Sequence, residues 1–116
     1  MVFLYGMYMK KNEIVKKSWE FEDIIKNGKL LKNKYFVIYY KDNIIEKKRF
    51  GISVSKKIGK AVTRNHYKRI IRKICDINKN VYSNGKDYII IMRVSCIGLS
   101  FKEMNDNLVD LAQKII

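Results

Sequence analysis

The chain has 116 residues, a formal net charge of +14 at pH 7 and a pI near 9.8. This length suits one domain, spanning residues 1–116, that is large enough to fold without a disulfide or metal staple. The absence of proline excludes a proline-rich linker that would divide the chain. The charge predicts fast, salt-sensitive association with anionic partners.

The first nine residues, MVFLYGMYM, are largely apolar and follow no positively charged segment. A signal peptide begins with charge and has a longer apolar run, and a membrane span needs about 20 apolar residues, so we predict neither. We expect residues 1–8 to be a disordered extension, with Met9 as an alternative start. Cys75 and Cys96 lack CxxC and zinc-ligand spacing, which is typical of reduced thiols in the cytoplasm.

Residues 18–27 have the pattern of a short helix. Ser18 is a favourable N-cap, and the acids that follow it suit the positive end of the helix dipole. Asn27-Gly28 has the composition of a C-terminal stop. A brief strand is expected over residues 29–31.

Residues 34–41, KYFVIYYK, are aromatic and β-branched and predict a strand. Alternation along this strand puts Tyr35, Val37 and Tyr39 on one face and Phe36, Ile38 and Tyr40 on the other. Residues 49–55 predict a second strand, which we expect to pair with the first in an antiparallel hairpin. Gly51 in its middle allows a bulge or a close approach.

Residues 87–94, DYIIIMRV, form a nearly continuous apolar run, which indicates a central strand covered on both faces. The strand–helix–strand order makes it parallel to strand 49–55, and general rules predict a right-handed crossover. Residues 100–103 fit a capping box that begins a last helix. Its apolar residues repeat at spacings of three and four, as a core-facing stripe does: Phe101, Met104, Leu108, Leu111 and Ile115.

Residues 47–73, KKRFGISVSKKIGKAVTRNHYKRIIRK, contain eleven Lys or Arg and no acid. A helix is predicted over residues 60–79, and its residues divide into two sides at about 100° per residue. The apolar side has Tyr67, Ile70, Ile71, Ile74 and Ile77, and the polar side has Arg64, Asn65, Lys68, Arg69 and Arg72. A charge run on a helix is usually a solvated face with both signs, but these charges share one sign and repel. We therefore predict that this side binds nucleic acid.

The string GISVSKKIGKAVTRNHYKRIIR resembles the signature of the bacterial ribonuclease P protein family. That family has a strand ending in SKK, a GxAV step, and RNRxxKRxxR on the helix that follows. The residues that match are Gly51, Ser53, Ser55, Lys56, Lys57, Gly59, Ala61, Val62, Arg64, Asn65, Lys68, Arg69 and Arg72. His66 replaces the second arginine of the family pattern, which weakens one expected contact and makes it pH-dependent.

The resemblance implies an α+β fold, a single-domain α-β sandwich of order αβββαβα. Its mixed four-stranded sheet would contain a left-handed βαβ crossover, against the general rule. The implied function is that of a cytoplasmic protein, monomeric when free, which assists the catalytic RNA of ribonuclease P. That RNA subunit, with magnesium, removes the 5′ leader from precursor tRNA.

The resemblance also implies two binding surfaces. The catalytic RNA would contact Lys56, Lys57, Arg64, Asn65, Lys68, Arg69 and Arg72. The single-stranded leader would lie in a cleft formed by Phe21, Tyr35, Val37 and Tyr39, although strand aromatics are more often core. Where Ile25 stands, the family often has another aromatic residue.

The residues themselves offer no candidate for a protein active site or a metal site. A nuclease needs clustered carboxylates, or a base beside a nucleophile, whereas these acids are dispersed and His66 has no nearby acid. We predict no catalytic residue and no metal ligand in the polypeptide, with magnesium bound mainly by the RNA partner. The alternatives are a non-catalytic structural RNA-binding protein, for instance ribosome-associated, and a helix-turn-helix DNA-binding protein.

Overall fold

A computed structural model describes residues 14–115 of the chain. The expected extension at residues 1–8 and the alternative start at Met9 lie outside the described residues. Helices and strands follow one another in the predicted order αβββαβα. They are α1 (Ser18–Asn27), β1 (Lys29–Lys32), β2 (Phe36–Asp42), β3 (Arg49–Val54), α2 (Ala61–Ile77), β4 (Lys86–Met92) and α3 (Phe101–Ala112).

The four strands form one mixed sheet in the order β1-β2-β4-β3, which confirms the predicted fold class. β2 is antiparallel to both β1 and β4, and β3 is parallel to β4 as expected. The predicted hairpin between β2 and β3 is wrong, because β4 lies between them. An apolar run buries most surface in the centre of a sheet, where both its faces are covered. The left-handed sense of the β3–α2–β4 crossover stays a prediction.

The larger core lies between the sheet and the two later helices, α2 and α3. β2, β3 and β4 contribute alternate residues to it, and α3 contributes Met104, Leu108 and Leu111. The capping box of α3 is confirmed, since the Glu103 amide donates to Ser100 Oγ at 3.1 Å and the Ser100 amide donates to Glu103 Oε1 at 3.0 Å.

Two residues that were expected in the apolar stripes are instead exposed. Ile77 is 55% exposed and Phe101 is 41% exposed. Ile77 is the last residue of α2 and Phe101 is the first of α3, so both exposed positions lie at helix ends. The ammonium of Lys73 lies 5.5 Å from the centroid of the Phe101 ring.

The opposite face of the sheet is packed by α1. Here the core is small, with Val15, Ile24 and Ile89 buried and Phe21, Tyr39 and Ile91 packed partly against them. The predicted N-cap of α1 is wrong by one residue, because Ser18 is already helical and Lys17 is the N-cap. α1 ends at Gly28 as expected, where a Cβ would lie only 2.4 Å from the carbonyl oxygen of Ile24 and 2.7 Å from that of Tyr40.

Gly51 of β3 leaves room for the ring of Phe21. A Cβ at this position would lie 2.5 Å from Cζ of Phe21 and 2.7 Å from Cδ1 of Ile89. These separations are far below van der Waals contact, so the expected close approach is confirmed. Glycine at position 51 is what allows α1 to rest directly on the sheet.

Gly51→Ala should therefore destabilise the protein by about 1–3 kcal/mol, the usual range for overpacking a core. Urea denaturation measures the change in the free energy of unfolding. Ser53→Ala is the matched control on the same strand and face, and we expect it to stay within about 0.5 kcal/mol of the parent. Equal stabilities for Gly51→Ala and the parent would contradict the contact with Phe21.

Both cysteines are free and buried. Burial raises the pKa of the Cys75 thiol to about 12 and that of the Cys96 thiol to about 11. The thiolate is the form that reacts with alkylating reagents, and a raised pKa lowers the thiolate fraction at any given pH.

Alkylation by iodoacetamide at pH 8 should accordingly be at least about a hundredfold slower in the native protein than in urea. Mass spectrometry of quenched samples follows both residues at once. Raising the pH from 8 to 9 should leave the native protein largely unmodified. Rapid native modification of either cysteine would show that its thiol is accessible and ionised.

Candidate nucleic-acid interface

The basic segment folds as a short 3-10 turn followed by α2. The turn, Lys56–Ile58, has a buried Ile58 that fixes it to the core, while Lys56 and Lys57 remain exposed. α2 then buries Ile71, Ile74 and Cys75 against the sheet. This apolar side holds the helix in place and presents its opposite side to solvent.

The seven predicted RNA-contacting residues lie together on this turn and on α2. Asn65 and Arg69 are exposed, and Arg64, Lys68 and Arg72 are half-buried along their stems. The Arg64 side chain donates from Nε to the carbonyl oxygen of Gly59 at 3.2 Å, which orients its guanidinium near the start of the helix.

Within the described residues, three of the cations on this side have no carboxylate partner. Across residues 14–115, no carboxylate forms a salt bridge with Arg64, Lys68 or Arg69. The acid of α2, Asp76, pairs instead with Lys79 at 3.0 Å. Arg64, Lys68 and Arg69 are therefore available to an external anion. Together with Lys56, Lys57 and Arg72 they make up what we call the cationic surface.

The sequence of α2 is also unfavourable to the helix itself. No acid stands in its first turn and no side chain caps its N-terminus. Like charges four residues apart each cost about 0.2–0.5 kcal/mol. Burying one Ile side chain contributes roughly 1.5–3 kcal/mol, so Ile71 and Ile74 outweigh this repulsion.

On the other face of the sheet, α1 lies across the strands. Its Phe21 ring rests on Gly51 of β3, and its C-terminal Gly28 touches the Tyr40 carbonyl of β2. Ile24, between them, packs on Ile89 of β4. α1 therefore runs from β3 over β4 to β2.

One side of α1 is fixed to the sheet by ion pairs. Arg49 of β3 donates from Nη1 to Glu20 Oε2 at 2.9 Å. The same guanidinium holds Asp87 of β4 with two bonds, Nε to Oδ1 at 2.8 Å and Nη2 to Oδ2 at 2.7 Å. The hydrogen bonds that the Arg49 guanidinium donates to these carboxylates, that to Asp87 first, raise its pKa.

A second ion pair lies one helical turn further along α1. Lys41 of β2 donates to Asp23 at 2.5 Å, and the Asn27 side chain donates to the other carboxylate oxygen at 2.7 Å. These two bonds hold the pKa of Asp23 below its usual range. In the sheet, Lys41, Asp87 and Arg49 are cross-strand neighbours, so both ion pairs fasten α1 to one row.

The opposite side of α1 borders a row of the sheet whose residues are half-buried or, for Lys32, exposed. Its residues, which we call the open row, are Lys32, Val37, Ile91 and Ser53, one from each strand. Phe21 and Ile25 lie on the side of α1 that faces away from the ion pairs. Phe21, Val37 and Ile91 are half-buried and Ile25 is exposed, from which we infer an apolar groove here that opens to solvent.

Three of the four residues expected in the leader cleft lie at this groove. Phe21 and Tyr39 pack on the α1 side of the sheet, and Val37 is in the open row. Tyr35 does not share that face and packs against the larger core. Residue 35 precedes β2, and the side-chain oxygen of Asn33 accepts from the amides of Tyr35 and Phe36 at 2.8 Å, which turns the chain before the strand alternation begins.

The groove and the cationic surface are joined by β3. Ser53 of the open row lies two residues before Ser55, after which come Lys56, Lys57 and the start of α2. An extended ligand in the open row that runs across the strands would therefore leave the sheet at β3, the edge strand that leads into the cationic surface.

The described residues show no arrangement typical of a metal site. Among residues 14–115, no three His, Cys, Asp or Glu side chains are grouped so that they could hold an ion. The acids nearest the groove, Glu20, Asp23 and Asp87, are already bound to cationic side chains. These residues do not fit a resident magnesium ion. No helix within the same residues has the length and apolarity to cross a bilayer.

Sequence reasoning missed Arg49, Glu20 and Asp87 as a group. The three residues are far apart in the chain: Arg49 is 29 positions after Glu20, and Asp87 is 38 positions after Arg49. A usable signal was present: Arg49 and Asp87 each begin a predicted strand, and parallel strands bring such residues side by side.

The family model for Ribonuclease P matches residues 9–116 of the chain. The chain belongs to the ribonuclease P protein family. The ribonuclease P protein component of Mycoplasma mycoides is 44% identical over 108 residues, which is 92% of this chain and 99% of that protein. The Bacillus cereus component is 38% identical over 107 residues, covering 91% of this chain and 93% of that one.

Solved structures of ribonuclease P proteins have the same fold. The protein from Thermotoga maritima has a TM-score of 0.83 and is 34% identical, over 90% of this chain and 98% of that one. The Staphylococcus aureus protein has a TM-score of 0.77 and is 36% identical, over 85% and 91% of the two chains. The resemblance read from the basic segment is thus confirmed over nearly the whole length.

Replacing Arg64, Lys68 and Arg69 with Gln should weaken binding to a ribonuclease P RNA. The slope of log K against log salt should flatten by about one unit for each phosphate that the variant no longer neutralises. Filter binding over a range of salt concentrations measures this slope.

The matched control replaces Lys26, Lys102 and Lys114, three exposed lysines outside α2, and makes the same change in net charge. Its slope should equal that of the parent. If the α2 variant also keeps the parent slope, the polar side of α2 does not contact the RNA.

Proposed function

We propose that this chain is the protein subunit of ribonuclease P and assists a catalytic RNA in removing the 5′ leader from precursor tRNA. The observation that carries the proposal is the α2 surface, where Arg64, Lys68 and Arg69 form no salt bridge with any carboxylate of residues 14–115. Membership of the ribonuclease P protein family over residues 9–116 supports it. We place the protein in the cytoplasm, as a monomer until it assembles with its RNA.

The RNA subunit binds, on this proposal, to the exposed turn before α2 and to the polar side of the helix. Arginine forks bridge pairs of phosphate oxygens, whereas lysine acts as a point charge. Asn65 donates to phosphate or sugar oxygens. A folded RNA concentrates phosphates, so an uncompensated cationic surface gains most where RNA strands lie close together.

The leader binds in the groove between α1 and the open row. Stacking on aromatic rings contributes roughly 1–3 kcal/mol per base and tolerates any sequence, as a subunit that acts on many precursors requires. Phe21 and Tyr39 offer ring surface at this groove, and Lys32 lies at its outer end. Ile25 supplies an apolar surface without a ring.

The protein's contribution is then to hold two RNA molecules together. β3 joins the groove to the cationic surface, so a bound leader lies beside the bound RNA subunit. Because the described residues do not fit a magnesium ion, we assign the reaction's magnesium to the RNA partner. The polypeptide binds and orients, and we assign no bond-breaking step to it.

The decisive experiment combines the protein with a ribonuclease P RNA and a precursor tRNA at low magnesium concentration. We expect the protein to stimulate cleavage at the mature 5′ end and to lower KM. Two precursors are compared, one with a leader of several nucleotides and one with a single-nucleotide leader. We call the KM of the single-nucleotide-leader precursor divided by that of the long-leader precursor the leader gain. It should be well above one with the protein and near one without it.

Other results point to other functions. Binding to this RNA with no change in cleavage would indicate a structural RNA-binding protein, such as a ribosome-associated one. Cleavage by the protein alone would mean that the polypeptide has an active site, and the proposal would be wrong.

A further inference from the structure

We propose that Glu20, Asp23 and Arg49 are positioning residues for leader binding, because their ion pairs fix α1 at the distance from the open row that the leader needs. This inference rests on the proposed function, since it concerns the groove assigned to the leader. None of the three residues lines the open row. They act through α1, whose Phe21 borders the groove.

The geometry of the ion pairs fixes both the place and the direction of α1. Glu20 and Asp23 are three residues apart and therefore lie on one side of the helix. Their partners, Arg49 and Lys41, stand on β3 and β2, on either side of β4. Two attachments on separate strands prevent the helix from both sliding and pivoting.

Apolar packing alone fixes α1 much less well. The core beneath it has only Val15, Ile24 and Ile89 buried, and hydrophobic contact has no preferred direction. The ring of Phe21 rests where Gly51 leaves space, and this single apolar contact does not fix the direction of the helix axis. Hydrogen bonds between charged groups are directional, so the ion pairs determine where on this small apolar patch the helix lies.

The carboxylate of Asp87 shows that the attachment of α1 through Arg49 is part of the fold. Asp87 is only 6% exposed, and it accepts two bonds from Arg49 and one from the Asn43 side chain at 2.8 Å. A buried ion pair adds little stability compared with apolar residues, but it penalises any arrangement that breaks it. Arg49 is thereby held rigidly on the sheet and offers Glu20 a fixed donor.

A small movement of α1 would be enough to change the groove. Successive rows on one face of a sheet lie about 6.7 Å apart along the strands, twice the rise per residue. A shift of α1 by half that spacing, away from the ion pairs, would bring Phe21 over the open row. The floor formed by Val37 and Ile91 would then be closed to a base.

The test uses the double variant Glu20→Gln, Asp23→Asn in the reconstituted complex of protein, RNA and precursor. It removes the charge from both attachments of α1, leaving at most neutral hydrogen bonds, and keeps the ion pair between Arg49 and Asp87. Glu22→Gln is the matched control, because Glu22 is exposed on the outer side of the same helix and the change also removes a carboxylate. Urea denaturation and affinity for the RNA subunit are measured for each variant.

We expect the double variant to raise KM for the long-leader precursor about fivefold or more, equivalent to losing one stacked base. KM for the single-nucleotide leader, kcat and affinity for the RNA subunit should stay at parental values. Glu22→Gln should keep the full leader gain. Simple attraction to RNA predicts the opposite sign, since removing carboxylates makes the protein more cationic.

A parental leader gain in the folded double variant would overturn the proposal and leave the ion pairs a purely stabilising role. Equal loss of affinity for both precursors would overturn it too, because α1 would then act on something other than the leader. If the parent protein itself has no leader gain, the proposed leader site is wrong. Measuring the parent therefore distinguishes failure of the leader site from failure of the positioning role. Should the double variant not fold, Asp23→Asn alone provides the test, since its ion pair is the more exposed one.

Discussion

Strand β4 is the constraint on which both functional surfaces depend. It pairs with β2 on one side and β3 on the other, and its residues Ile89 and Ile90 are fully buried on opposite faces. β2 carries Tyr39 and Val37 of the groove, whereas β3 leads into the cationic turn and α2. Backbone hydrogen bonds on both edges of one strand therefore hold the groove and the cationic surface in a fixed relation.

The distribution of acids is as informative as that of the cations. Near the groove, Glu20, Asp23 and Asp87 neutralise Arg49 and Lys41. On α3, Asp106 and Asp110 pair with lysines four residues away, and Glu103 completes the capping box. Among residues 14–115, the cations that have no salt bridge include Arg64, Lys68 and Arg69 of α2. With a net charge of +14, the protein uses its few carboxylates to build and orient structure. This leaves one surface strongly cationic, so electrostatic attraction also selects an orientation for the incoming RNA.

Local patterns were sufficient to predict the elements, and the strand and helix bounds agree with the structure to within two residues. Periodicity and capping chemistry depend on neighbours in sequence, which is why α2, β4 and the Ser100 cap were correctly predicted. The β2–β3 hairpin failed because strand pairing is decided by burial across the whole sheet. The prediction that Tyr35 shares a face with Val37 and Tyr39 was wrong because the Asn33 turn lies before the point at which the strand alternation begins. The network around Arg49 joins residues distant in sequence, and only the parallel register of β3 and β4 brings them together.

The repulsion within α2 links stability to function. Arg64, Lys68 and Arg72 follow one another at four-residue intervals, and the positive end of the helix dipole faces further lysines rather than acids. The free protein tolerates this because the sheet buries the other side of the helix. Phosphates at the same positions would remove the repulsion and satisfy the uncapped amides of the first turn. On the proposed function, binding RNA would thus relieve a repulsion that the fold carries when alone, and the affinity of α2 for the RNA would include that relief.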